Sequence, residues 1–220
     1  MILLEQYQII KKTLEVYKKC NIKDFPIDCI RIIKGLGIPL FKYSELSESK
    51  AKKCLQLSDD AFTLYGVIFY NDNFPHKERQ RFSLMHEVGH IVLGHEGEKI
   101  ENEKEADFFS SNILAPRAIM RHLRCESVKD IYRTFNVSCM AANRIEKEYQ
   151  MFCFWENREL HKSIRDWFFS FVEPDITNQA PKEDKGKEYD SDFFNTYRFL
   201  MGEEYIFEQA QYYHLHGHNF

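Results

Sequence analysis

Hydrophobic positions along the chain change period several times, and the changes divide it into elements. Residues 2 to 20 place Ile2, Leu3, Ile9, Ile10, Leu14 and Tyr17 at helical spacing, with lysines on the opposite face. Pro26 is expected to open a second helix, with Asp24 as its cap and Gly35 or Gly37 as its end. Residues 38 to 43 then read as a strand, an edge strand because Pro39 cannot donate to a ladder. The polar run 44 to 53 suggests a short helix. Ala61 to Tyr65 and Val67 to Tyr70 are β-branched and aromatic, and Gly66 separates them, which predicts two short strands or one bulged strand. Asn71-Asp72-Asn73 marks a turn, and Pro75 opens the next helical run.

That run is apolar on most sides: Leu84, Met85, Val88, Ile91, Val92 and Leu93 all fall in it, as in a buried core helix. A further helical run starts near Glu101. Beyond Pro116 the pattern gives short helices over 118–124 and 128–135, the latter capped by Ser127, and then one over 139–149. The whole reads as α+β: mostly helical, with a small sheet of about three strands beside the central helix.

The central helix carries His86-Glu87-Val88-Gly89-His90. Residues four apart share a helix face, so His86 and His90 aim their imidazoles at one point. This is two-thirds of a zinc ligand set, with Glu87 beside it as candidate general base. The alternative reading is an ordinary helix in a His-rich chain, but buried imidazoles need partners and a metal supplies them. A third ligand is then required. His95 lies five residues past His90, and the extended metzincin pattern fails because Leu93 and Glu96 stand where Gly and His belong. In the next helix, Glu103 and Asp107 share a face, and Ala106 is small enough for two helices to approach. A carboxylate from Glu103, or from Glu105, would complete the site, and Asp107 would accept the free ring N–H of a ligand histidine. Glu101 reads simply as an acidic residue favoured at a helix start.

These residues, Glu78 to His95 followed by Glu-Lys-Glu-Ala-Asp-Phe-Phe-Ser-Ser-Asn-Ile-Leu-Ala-Pro116, resemble the ImmA/IrrE family of zinc metallopeptidases. The likeness extends upstream to Pro26–Gly37 and Val67–Asn71, covering roughly residues 20 to 150. It implies a gluzincin-like centre in which Glu103, from the Glu-x-x-Ala-Asp pattern, is the third ligand. One departure is Leu114-Ala115-Pro116 where the family usually has Leu-Met-Pro, and it leaves the zinc residues untouched. The resemblance also implies a bacterial or mobile-element peptidase that cleaves a partner helix-turn-helix repressor and so regulates transcription. The strand just before the central helix is where zinc peptidases of this type lay a substrate, backbone to backbone.

Composition narrows the setting. The chain has 220 residues, 44% of them hydrophobic, enough for a substantial core, and a formal net charge of −4. Residues 117 to 150 carry seven Lys or Arg against four Asp or Glu. Helices separated by a short turn over 127–149 resemble a helix-turn-helix, but no basic stripe accompanies them, which argues against direct nucleic-acid binding. Six scattered cysteines without a Cys-x-x-Cys read as reduced thiols in a cytoplasmic protein. Met1 to Leu4 are followed at once by Glu5 and Gln6, so no leader or membrane segment is expected.

The peptidase-like part is therefore assigned to residues 1–150 and an aromatic-rich helical extension to 151–220. Phe152, Phe154, Trp155, Trp167, Phe168, Phe169 and Phe171 are expected to pack largely as core. Residues 173–192, with two prolines, Gly186 and ten charged side chains, read as a linker, and 192–213 as a final helix. The tail holds His214, His216 and His218. The expected activity is zinc-dependent endopeptidase action on a protein. Two other readings remain: a zinc-containing regulator that binds its repressor without cutting it, and a DNA-binding regulator using 127–149.

Overall fold

The computed structural model of the protein describes residues 3–97, 99–125, 127–152 and 158–169. Helix α1 (Leu3–Lys19) leads into α2 (Cys29–Leu36), strand β1 (Leu40–Lys42), a 3-10 turn at Tyr43–Glu45 and α3 (Glu48–Leu57). A hairpin follows, β2 (Ala61–Leu64) and β3 (Val67–Tyr70), and then the two long helices α4 (Lys77–Leu93) and α5 (Ile100–Leu114). The described part finishes with α6 (Arg117–Met120), α7 (Val128–Phe135), α8 (Cys139–Phe152) and α9 (Arg158–Phe169). The architecture is α+β, as the hydrophobic pattern predicts.

Local chemistry sets the element ends. The α2 cap is Asp28 rather than Asp24: its carboxylate accepts from the N–H groups of Ile30 and Arg31, so the helix starts at Cys29 instead of Pro26. Gly37 closes it at φ 76°, a left-handed conformation that a glycine adopts without strain. Ser127 caps α7 by accepting from Asp130 N–H. Tyr65 and Gly66, both at positive φ, form a two-residue hairpin loop, so the segment around Gly66 is two strands and not one bulged strand.

The sheet order is β1-β3-β2, with β1 parallel and β2 antiparallel to β3. β3 is therefore hydrogen-bonded on both sides. A substrate cannot add to β3, contrary to the expectation from its position just before the central helix; β2 is the free-edged strand that packs on α4. In the β2–β3 register Ala61 faces Tyr70 and Thr63 faces Ile68. Ala61, Ile68 and Tyr70 are buried towards the helices. The opposite face stacks Phe41, Phe69 and Phe62 in a row, with ring centroids 5.7 and 5.3 Å apart.

The core lies between α1, α2, α4 and α5. Tyr17 of α1 is fully buried and donates its hydroxyl to the carbonyls of Asn112 and Ile113 near the end of α5. Arg81 of α4 donates to the carbonyls of Ile27 and Phe135, tying the central helix to the turn before α2 and to α7. α7 and α8 turn Ile131, Phe135, Ala142 and Ile145 inwards. α9 joins the same body: Leu160 and Ile164 are buried, Trp167 donates to Ile22 O at 2.8 Å, and Phe168 packs edge-on to Tyr17. The side chains of Phe152, Phe154, Trp155 and Phe171, the 173–192 segment, the expected final helix and the His-rich tail lie outside the described residues. No described helix is long and apolar enough to cross a membrane.

Candidate metal centre

Two packed helices build the centre. α4 supplies His86 and His90, one turn apart, and α5 supplies Glu103 and Asp107, also one turn apart. The helices come close because of Gly89 and Ala106. A Cβ at Gly89 would stand 3.2 Å from Ala106 Cα and 3.1 Å from Phe109 Cδ1, so any larger residue there would force them apart. Ser110 adds a bond across the pair, donating to Phe82 O at 2.8 Å.

Successive turns of α5 grip the two nitrogens of one histidine. Asp107 Oδ1 lies 2.8 Å from His86 Nδ1, and Glu103 Oε2 lies 3.1 Å from His86 Nε2. His90 Nε2 is 3.0 Å from His86 Nε2 and 3.4 Å from Glu103 Oε1. Among the described residues, His86, His90 and Glu103 form the one group of three that could hold a metal ion.

The geometry fits a metal. Ligand atoms about 2.05 Å from a tetrahedral zinc stand about 3.3 Å from one another, and the three separations here bracket that value. Hydrogen-bond roles point the same way. Asp107 as carboxylate only accepts, so His86 carries its proton on Nδ1 and presents a lone pair at Nε2. That lone pair faces the Glu103 carboxylate, another acceptor. A cation between them resolves the conflict.

Without metal, a proton serves instead. Burial alone would lower the His86 pKa, but the bonds to Asp107 and Glu103 overcome it and raise it to about 10. Burial likewise works to raise Glu103, yet the two imidazoles beside it hold its carboxyl well below the usual carboxylate range. The site remains open to water: side-chain exposure is 18% at His86, 20% at His90 and 33% at Glu103.

Glu87 lies beside this group, half-buried. Burial pushes its carboxyl up, and the neighbouring His86 and the Thr63 hydroxyl pull it down. Thr63 comes from β2, and its buried hydroxyl lies near the Glu87 carboxylate without a full hydrogen bond to any described residue. No local sequence pattern marks Thr63, because none tells which strand borders the helix. Asp60, just before β2, fastens that border: its Oδ2 accepts from Arg79 Nε at 2.7 Å and from Ser83 Oγ at 3.1 Å, both on α4.

The structure thus gathers His86, Glu87, His90, Glu103 and Asp107. Glu105 points elsewhere: its Oε2 is 3.1 Å from His95 Nε2, and His95 Nδ1 is 3.0 Å from His90 Nδ1.

His86, His90 and Glu103 thus cluster between α4 and α5, with Glu87 next to them and close to Thr63 of β2. The chain belongs to the family of the IrrE N-terminal-like domain, a peptidase family whose profile matches residues 35–146, about half its length. A metallopeptidase family implies a metal ion and a protein substrate. Comparison with curated proteins finds none that matches.

Proposed function

We propose that this chain is a zinc-dependent endopeptidase that cuts a partner protein. His86, His90 and Glu103 hold the zinc, and Asp107 orients His86. The observation that carries the reading is the triangle of two Nε2 atoms and a carboxylate, with separations of 3.0, 3.1 and 3.4 Å. Zinc in this position supplies Lewis acidity, polarising a carbonyl and acidifying water.

The rest of the chemistry belongs to the chain. Glu87 takes the proton from the attacking water and passes it to the leaving amine. Its burial favours this role, since a carboxylate of raised pKa is a better base. The free edge of β2 offers backbone N–H and C=O groups to an extended substrate, beside Thr63 and Glu87. By the resemblance set out from the sequence, the substrate is a helix-turn-helix repressor, and its cleavage relieves repression in the cytoplasm. Residues 1–150 form the peptidase domain of this reading, and 151–220 an extension whose first described helix, α9, docks on it.

Incubation with the candidate repressor tests the reading. Wild type cuts it, and Glu87→Gln keeps its zinc but cuts at least about a hundredfold more slowly. Equal rates would remove Glu87 from the base role. A repressor that dissociates from DNA but stays intact would favour the non-cleaving regulator.

A further inference from the structure

α4 ends in a Schellman motif. Gly94, at φ 71°, lets its own N–H bond Ile91 O and the His95 N–H bond His90 O at 3.0 Å. In this motif the residue after the left-handed position folds back over the residue five before it, normally as an apolar contact. Here those two residues are His95 and His90. Their rings meet edge to face at 5.0 Å between centroids, with the Nδ1 atoms 3.0 Å apart.

Donor and acceptor roles along this line are fully determined once His90 uses Nε2 towards a metal. His90 then carries its proton on Nδ1 and donates it to His95 Nδ1. His95, unprotonated at Nδ1, carries its proton on Nε2 and donates to Glu105 Oε2 at 3.1 Å. The His95 side chain is only 6% exposed, so water does not substitute readily for either bond. The Glu105 charge makes the His95 lone pair a stronger acceptor.

We infer that His95, anchored by Glu105, is a positioning residue: it fixes the tautomer and ring plane of His90, as Asp107 does for His86. The inference rests on the metal-centre reading above. It gives both residues a place that neither has as a ligand. His95 meets His90 at Nδ1, the nitrogen turned away from the ligand group, and Glu105 meets His95 rather than the ligand atoms; together they form the outer support of the second histidine.

The test is zinc affinity, read by competition with a chelator, alongside urea unfolding of the metal-free protein. His95→Phe keeps the bulk but removes the acceptor, and zinc binding should weaken about 10- to 100-fold. His95→Gln, whose carbonyl can accept from His90, should recover most of that loss. Glu105→Ala, at a partly exposed position, should weaken binding in the same direction but less. A long-range 1H–15N spectrum of the zinc-loaded wild type needs no variant and should show His95 protonated at Nε2 and bare at Nδ1. Unchanged affinity in His95→Phe, equal losses for Phe and Gln, or a His95 proton on Nδ1 would overturn the assignment. A folded wild type that binds no zinc would instead sink the metal centre itself, and this proposal with it.

Discussion

Gly89→Ala probes the distance between the two helices on which the site depends. A Cβ there would lie 3.1 Å from Phe109 Cδ1, 3.2 Å from Ala106 Cα and 3.3 Å from Ala106 O. Carbon–carbon contacts are comfortable from about 3.5 Å, so the two carbons are about 0.3 to 0.4 Å too close. Phe109 is fully buried and two of the three atoms are α5 backbone, so relief has to come from moving α5. Against this, Ala in a helix interior is favoured over Gly by about 0.5–1 kcal/mol. Overpacking of this kind costs about 1–3 kcal/mol, which leaves a net loss near 1 kcal/mol. The metal should feel the change more than the fold does. Glu103 sits one turn from Ala106 on the helix that must move, and coordination distances tolerate only about 0.2 Å. Urea unfolding of metal-free protein reads the first effect, and chelator competition the second. A Gly89→Ala protein more stable than wild type, with zinc affinity intact, would refute the close approach and the reasoning built on it.

Other expectations follow from the same geometry. Asp107→Ala leaves His86 Nδ1 without its acceptor, and zinc affinity should fall about 10- to 100-fold; unchanged affinity would show that His86 needs no such support. Because metal-free His86 holds its proton up to about pH 10, zinc must displace it. Apparent affinity should therefore rise about tenfold per pH unit across the neutral range, with proton release measurable by calorimetry in buffers of different ionisation enthalpy. Metal-free stability runs the other way. The His86 contribution is complete below its unfolded pKa of about 6.5 and disappears as pH rises through about 10, so alkaline titration of metal-free protein should show stability declining over that interval. Ile164→Ala, a buried truncation on α9, should cost about 2–4 kcal/mol in the same urea assay, whereas a surface value near zero would detach α9 from the core.

What could be read from the sequence was whatever repeats within a helical turn. His86 with His90, and Glu103 with Asp107, are i, i+4 pairs, and the two helices needed only one small contact, Gly89 on Ala106, to bring the pairs together. Which strand borders the site could not be read locally. β2 and β3 look alike in composition, and the edge falls to β2 only because β1 pairs with the far side of β3. The α2 cap moved from Asp24 to Asp28 because a capping carboxylate must lie two or three residues before the N–H groups it accepts from, and only Asp28 stands so to Ile30 and Arg31. His95 and Glu105 were visible as residues but not as a pair. His95 lies past the end of its helix, and the turn at Gly94 is what folds it back onto His90.

The most direct measurement is bound-zinc stoichiometry on purified protein whose tail histidines, His214, His216 and His218, have been replaced. Wild type should hold one zinc per chain, Glu103→Ala should lose it, and Glu105→Ala should keep it with reduced affinity. A wild-type protein that retains no zinc, or a Glu103→Ala protein that retains it as tightly, would contradict the central assignment.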